Sequence, residues 1–503
     1  MKTIKEKLAD VLGRAAYVLG YDAATSSPQR KNLPWSRKAG RDEDSLLGAR
    51  DRETIRQELL NLRRNDCITA AVCRTFADNV VGPGIYPQAK TSDPKWNKAA
   101  EDYFWEWSKV CDVRQRQNFR EIQRTSVLAR LLLGDTGFIL TDGGQLQPVE
   151  FERVKTPDKL KTEANICEGF KLSPATGVTL GYYVYRRESD GRIDTSTDHY
   201  DYVASSNMIL ASNLFRFDQV RTIPDLACVT NNVKDLDDFS MSTLEKARLD
   251  AKQAWQIITE DGVGGPGNLG SRLSTATTGN GQQYESFNGV GNYYLRKGEE
   301  AKSLASNTPN AQYDSFTISH LRRIGAAIGI PYEFLLLDFS ASNFSNARTG
   351  LMQVYNTVLD WQTWLDDKIN QRVWNWRIAK AIKEKQLAPA PKVDGVSQWY
   401  QCEWVHPSRQ WVDLQNQAQA DLLNWQMGKD TITQMVRATG RDIEDVFAEK
   451  RIEIAFAQRE AELLNQEYPT LALTWRDIIS AQIPGQTQSK PEEKPIAKDE
   501  GVE

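Results

Sequence analysis

Residues 324–349 read IGAAIGIPYEFLLLDFSASNFSNART, and the reading of the whole chain turns on them. A helical run over 315–328 meets Gly329 and Pro331, which stop it and start a Pro-initiated turn. Residues 338–346 then form a polar loop in which seven of nine side chains are neither aromatic nor basic, and no Lys or Arg occurs until Arg348. Helical periodicity resumes over 348–385, where Trp361, Trp364, Trp374 and Trp376 give the helix a large surface to bury. The pattern is helix, turn, exposed polar loop, long helix.

Upstream, Pro224 opens a third long helix over 225–260, a rod of roughly 50 Å. The stretch DGVGGPGNLGSRLSTATTGNGQQYESFNGVGN at 261–292 reads as a functional or interfacial loop, too irregular for a core element. Residues 145–217 alternate in short apolar bursts such as GYYVYRRE, a β-rich middle. Before it, one helix is expected over 46–79 and another from Asp93-Pro94 to Leu133. In the second, Arg116, Arg120 and Arg124 recur at intervals of four, a solvated or subunit-facing side in preference to a DNA-binding stripe. Residues 1–45 form an N-terminal arm. Downstream, the linker LAPAPKVDGVS leads to two or three helices over 408–467 broken at Gly428 and Gly440, and 476–503 reads as a disordered tail. The class is α+β, mainly helical.

The composition excludes several functions. With 503 residues, 63 Lys plus Arg against 67 Asp plus Glu, and a net charge of −4, the chain has no global basic footprint for gripping nucleic acid. The six cysteines lie apart without a CxxC and are read as buried thiols in a reducing compartment. No signal peptide is expected at the charged start, and no run approaches the ~18 apolar residues of a membrane span. Gly265 to Gly270 matches GxGxxG, but after a helix and with Pro266 removing an N–H, so no dinucleotide cradle is expected. There is no phosphate loop, and His199, His320 and His406 stand isolated. Asp235, Asp237 and Asp238 are assigned to the first turn of a helix, where the dipole favours carboxylates. No catalytic residue, metal ligand or cofactor is expected, which leaves assembly as the leading class over a DNA-processing enzyme.

Four segments in order resemble the portal proteins of tailed bacteriophages, specifically the lambda-like portal family, over about residues 40–465. They are ARDRETIRQELLNLRRNDCITAAVCRTFADNVVGPGI, FDQVRTIPDLACVTNNVKDLDDF, the 324–349 stretch, and HPSRQWVDLQNQAQADLLNWQMGKDTITQMVRATGRDIEDVFAE. Thr222 stands where that family usually has Gly, and Leu414 where it usually has Pro.

The resemblance implies a portal-type fold assembled as a ring, normally of twelve, at a capsid vertex of the virion after assembly in the host cytoplasm. Double-stranded DNA would pass through it. A large terminase, a head–tail adaptor and the major capsid or scaffold protein would be its partners, with no membrane. The implied divisions are a wing over 46–224, a stem helix over 225–260, a clip over 261–295, a second stem and wing part over 296–395, and a helical crown over 396–475. A tunnel loop at 338–347 would present Asp338, Ser340, Ser342, Asn343, Ser345, Asn346 and Arg348 to DNA. Short hydroxyl and amide groups exchange phosphate hydrogen bonds without the long residence of a Lys ion pair. The competing reading of the loop is an internal turn in which Ser340 or Asn343 caps the next helix. Terminase and neck docking would fall on Gly265, Asn268, Arg272, Tyr284 and Phe287. An oligomeric scaffold without DNA contact remains the alternative.

Overall fold

The computed structural model describes residues 48–187, 193, 195–252, 255–258, 275–277, 283–287, 290–295, 313–340, 344–407, 414–439, 441–468 and 473–479. The expected arm and all of the expected tail beyond 479 lie outside them.

The first expected helix is two. Asp66 leaves helical geometry and accepts the Thr69 amide at 2.6 Å, ending α1 (Ala49–Asn65) and capping α2 (Cys67–Val80). A short strand, β1 (Tyr86–Ala89), follows the Gly-Pro-Gly turn. The second expected helix is also two: α3 (Pro94–Ser108), capped by Asp93, and α4 (Phe119–Leu132), opened by a reciprocal Asn118/Glu121 capping box. Between them buried Asp112 accepts the amides of Arg114 and Arg116, so Arg116 does not share a face with its two expected neighbours. Arg120 donates to the Gly82 carbonyl at 2.9 Å and Arg124 to Asp78 at 2.8 Å. That basic face is spent inside the chain, holding α4 to the end of α2.

The expected β-rich middle is present. β2 (Thr136–Leu140), β3 (Leu146–Val149) and β8 (Met208–Ala211) form an antiparallel sheet in the order β3-β2-β8. β4 (Ile166–Cys167), β5 (Phe170–Leu172), β6 (Thr179–Tyr185) and β7 (Tyr200–Ala204) form a second sheet in chain order.

The third long helix is shorter than expected. A 3-10 turn, Asp225–Val229, leads into α5 (Thr230–Lys252), about 35 Å long, and the apolar residues after it form strand β9 (Trp255–Ile258). The expected irregular insertion holds three further strands, β10 (Thr275–Thr277), β11 (Gln283–Phe287) and β12 (Val290–Leu295), in a sheet ordered β10-β11-β12-β9. β11 and β12 are aromatic-rich, which favours a pleated surface.

The helical unit around the quoted stretch follows as α6 (Tyr313–Ile328), α7 (Tyr332–Leu336), α8 (Phe344–Leu365), a π-helical turn Asp366–Asn370, and α9 (Gln371–Lys383). A hairpin of β13 (Lys392–Val393) and β14 (Val396–Ser397) precedes β15 (Cys402–Val405), which returns to pair antiparallel with β1, Tyr86 opposite Val405. Residues 402–405 are therefore part of the main body's sheet, and the expected crown boundary at 396 falls inside that body. Those helices are α10 (Leu414–Gln426), α11 (Ile432–Ala438), α12 (Ile443–Glu467) and α13 (Trp475–Ile479).

The core lies where α2, α3 and α4 meet α8 and α9. Phe76 packs on Trp361 with ring centres 4.7 Å apart, and Phe104 touches both Phe119 and Trp374. Each such pair adds about 0.5–1.5 kcal/mol beyond its buried area. The buried indoles keep their hydrogen bonds: Trp96 donates to the Ala388 carbonyl, Trp107 to Gly144 and Trp374 to Trp399. The cysteine expectation holds for Cys73 and Cys111, whose thiols burial pushes up to about 11 and about 12, whereas Cys67 and Cys228 are exposed. Among the described residues no helix is long and apolar enough to cross a membrane.

Candidate functional site

The loop expected at 338–347 is launched by a stiff hook. Helix α6 ends at Gly329 with φ +74°, where a Cβ would lie 2.7 Å from the Thr357 hydroxyl, so only glycine lets α6 close onto α8. Thr357 donates to the Gly329 carbonyl at 2.9 Å. Pro331 starts α7, and α7 ends at Leu337, a left-handed non-glycine residue at φ 56°. Leu337 is held there because the Asp338 amide bonds back to the Glu333 carbonyl at 3.0 Å.

Asp338 Oδ1 then accepts both the Ser340 amide, at 3.0 Å, and the Ser340 hydroxyl, at 2.6 Å, which hold this carboxyl below the usual carboxylate range. Ser340 thus bonds within the loop and does not cap α8. Phe339 meets Phe334 edge-on at 5.1 Å. Ser342 and Asn343 lie outside the described residues, as do the side chains of Ser345 and Asn346. Residues 344–347 are already the first turn of α8, so the loop is shorter than expected. Arg348 is exposed and makes no ion pair among the described residues.

Phe339 and Arg348 line one wall of a cleft of about 1490 Å³, whose other walls come from the end of α2, from β15 and from α11. Its floor is the π turn. Asp366 pairs with His406 at 2.7 Å through one oxygen and accepts Asn370 at 2.7 Å through the other. Asn370 in turn accepts Gln123, which bonds both the amide and the carbonyl of Ile85. An extra residue in a helical turn re-aims side chains, and here it turns Asp366 toward the cleft and Asn370 toward the core. Across the cleft Arg437 of α11 reaches Glu403 of β15 at 2.6 Å.

A second tie holds the C-terminal helices. Lys98 of α3 lies 3.7 Å from Asp445 at the start of α12. Beside it Glu101 accepts the Ala89 amide at 2.8 Å. Burial pushes the Glu101 carboxyl up to about 7, with Asp442 and Asp445 adding to the shift and the Ala89 amide and Lys98 opposing it.

Sequence reading missed a buried ionic cluster behind β2. Arg52 and Arg56, one helical turn apart on α1, face inward. Asp135 takes Arg221 Nε at 3.0 Å and lies 3.8 Å from Arg56 Nη2, while Arg52 lies 3.6 Å from Glu168. Thr222 closes the cluster with its hydroxyl on Asp135. Burial lowers Arg221 to about 10 against the pull of Asp135, and lowers Arg56 as well. The spacing of Arg52 and Arg56 was a visible signal; their common partner was not.

The remaining expected residues scatter. Gly265, Asn268 and Arg272, with the whole GxGxxG stretch, lie outside the described residues. Tyr284 and Phe287 sit on β11 opposite Tyr293 and Val290. Asp235, Asp237 and Asp238 are exposed but stand beyond the first turn of α5, so the dipole does not account for them; Asp225 of the preceding 3-10 turn instead pairs with Arg130 at 2.9 Å. Arg130 also lies over the Trp361 ring, 3.8 Å from its centre. His320 is partly buried against Phe316, not a ligand in a cluster. No group of three or more metal-binding side chains occurs among the described residues.

The described residues thus form a mixed α/β body with a long hooked helical unit and an open cleft beside it. The chain belongs to the lambda family of phage portal proteins, whose signature matches residues 29–362. It is 21% identical to the portal protein of Escherichia phage N15 over 71% of this chain and 72% of that one. It is 20% identical to portal protein B of Escherichia phage lambda over 78% of this chain and 81% of that one. The probable portal protein of Halomonas phage phiHAP-1 is 21% identical, covering 83% of each. Among solved structures, the neck of an empty GTA particle aligns over 75% of this chain and 90% of that one, with 11% identity and a TM-score of 0.40.

Proposed function

We propose that this chain assembles as a ring of about twelve copies at a capsid vertex of a virion, through which double-stranded DNA is packaged and later ejected. Family membership across residues 29–362 carries this reading. The exposed loop at Asp338 and Ser340 supports it, since a short hydroxyl can exchange phosphate contacts without holding them and the carboxylate beside it repels phosphate. In this reading α5 is the stem, the sheet β10-β11-β12-β9 the clip that docks the terminase and the head–tail adaptor, and α10 to α13 the crown. The body from α1 to β8, completed by α6 to β15, is the wing. Its partners do the chemistry; this chain turns over no ATP.

Mass photometry of the purified chain tests the assembly. A species near twelve times 56.9 kDa is expected. A stable monomer at micromolar concentration in physiological salt would sink the reading.

A further inference from the structure

The described residues of 414–479 bury two side chains, Ala457 and Ala461, both on α12. Over the same stretch Trp425, Phe447, Ile452, Phe456, Leu463 and Tyr468 are exposed. A helical unit so apolar and so thinly covered is not completed by the described residues of its own chain.

Helix α12 carries two separate apolar patches. Ile452, Phe456 and Leu463, 70%, 61% and 52% exposed, follow at spacings of four and seven and share one face. Phe447 and Ile454, 54% and 38% exposed, are seven apart and share another. Ile454 and Phe456 are only two residues apart, which places the patches on opposite sides of the helix. Helices α11 and α13 pack against α12; beyond Ile454 the second face runs into the buried Ala457 and Ala461, while Phe447 and the first patch stay open.

The borders of the two patches differ in sign. Glu453 and Glu460 flank the first, with Arg459 on its far side. Lys450, whose ammonium lies 5.9 Å from the Phe447 ring centre, and Arg451 flank the second, with Glu444 at its N-terminal end. Glu449, also near the first patch, is engaged by Arg441 of its own chain. Two copies meeting first patch to first patch would set Glu453 and Glu460 against like charges and leave the second patch bare. First against second joins acid to base and covers both.

We propose that α12 is a head-to-tail contact between copies of this chain, the acid-bordered patch of Ile452, Phe456 and Leu463 on one copy seated on the base-bordered patch of Phe447 and Ile454 on the next. The contact rests on the ring reading above and says where the ring closes. A heterologous contact repeats from copy to copy until rotation brings it back to the first.

Two charge reversals test it. Glu453→Arg with Glu460→Arg leaves both patches basic; Lys450→Glu with Arg451→Glu leaves both acidic. Each variant alone should need at least roughly tenfold more protein than the unaltered chain to reach half-assembly. An equimolar mixture should assemble like the unaltered chain, with both variants in equal number by native mass spectrometry. Circular dichroism confirms that each variant keeps its helices. Either variant assembling at the unaltered concentration, or a mixture no better than its parts, overturns the contact while leaving the ring intact as a reading. An unaltered chain that stays monomeric removes both.

Discussion

Asp135 is 1% exposed and is the nearest carboxylate to both Arg56 and Arg221, with Glu168 and Glu152 acting from farther off, so it carries most of their charge balance. Asp135→Asn keeps the shape but takes the nearest counter-ion from two buried guanidinium groups, a loss of about 3–5 kcal/mol. Thermal unfolding should show the drop, and Arg221→Met added to Asp135→Asn should recover part of it, because the desolvation cost of one charge goes with it. Glu101 works with the opposite sign. Its folded carboxyl titrates near 7, above the ordinary 4.5, so the folded chain holds the proton that the unfolded chain releases first. The folded state is therefore favoured below about pH 4.5 and loses that advantage as pH rises toward 7. Glu101→Gln, which still accepts the Ala89 amide, should flatten that slope and raise stability at pH 8 by up to ~2 kcal/mol. Denaturant titrations at pH 5, 6.5 and 8 check it, and parallel slopes for the two proteins would count against it.

The hook at Leu337 to Ser340 and the start of α8 bracket the 341–343 segment, and the proposed DNA contact belongs to this element. Ser342→Lys with Asn343→Lys should leave rings intact and slow packaging in a defined in vitro reaction, increasingly as salt is lowered, because each added cation holds a phosphate longer. Packaging unchanged at low salt would favour a purely internal turn. The helices of this unit and the β-rich middle were legible because 3.6-residue and two-residue periodicities survive in single sequences. The breaks at Asp66 and Asn118 were not, since the apolar rhythm runs on across them; only the caps betray them, as Asp66 accepting Thr69 and Asn118 exchanging bonds with Glu121. The β11–β12 pairing could have been read: Asn288-Gly289 separates Phe287 from Val290, a two-residue hairpin signal that the surrounding Gly and Ser obscured. The Asp135 cluster draws on α1, β2 and the strand-to-helix connection at Arg221, and such convergence leaves no local trace.

At the scale of the whole molecule the body is closed by its distant parts. Strand β1 waits for β15, and Ser92 bonds Gln398 across 306 residues. Trp96 likewise finds its acceptor only at Ala388. A ribosome adding ~5–20 residues per second needs roughly 15–60 s to deliver those partners after β1 has emerged. For that interval the faces of α2, α3 and α4 that will receive Trp361 and Trp374 have nothing to cover them, so the growing chain, rather than the finished subunit, is the stage most exposed to mispairing. If copies meet through α12 as proposed, a chain still being made has little to offer a neighbour: its body closes only as synthesis passes residue 405, and the contact helix follows at 443–467.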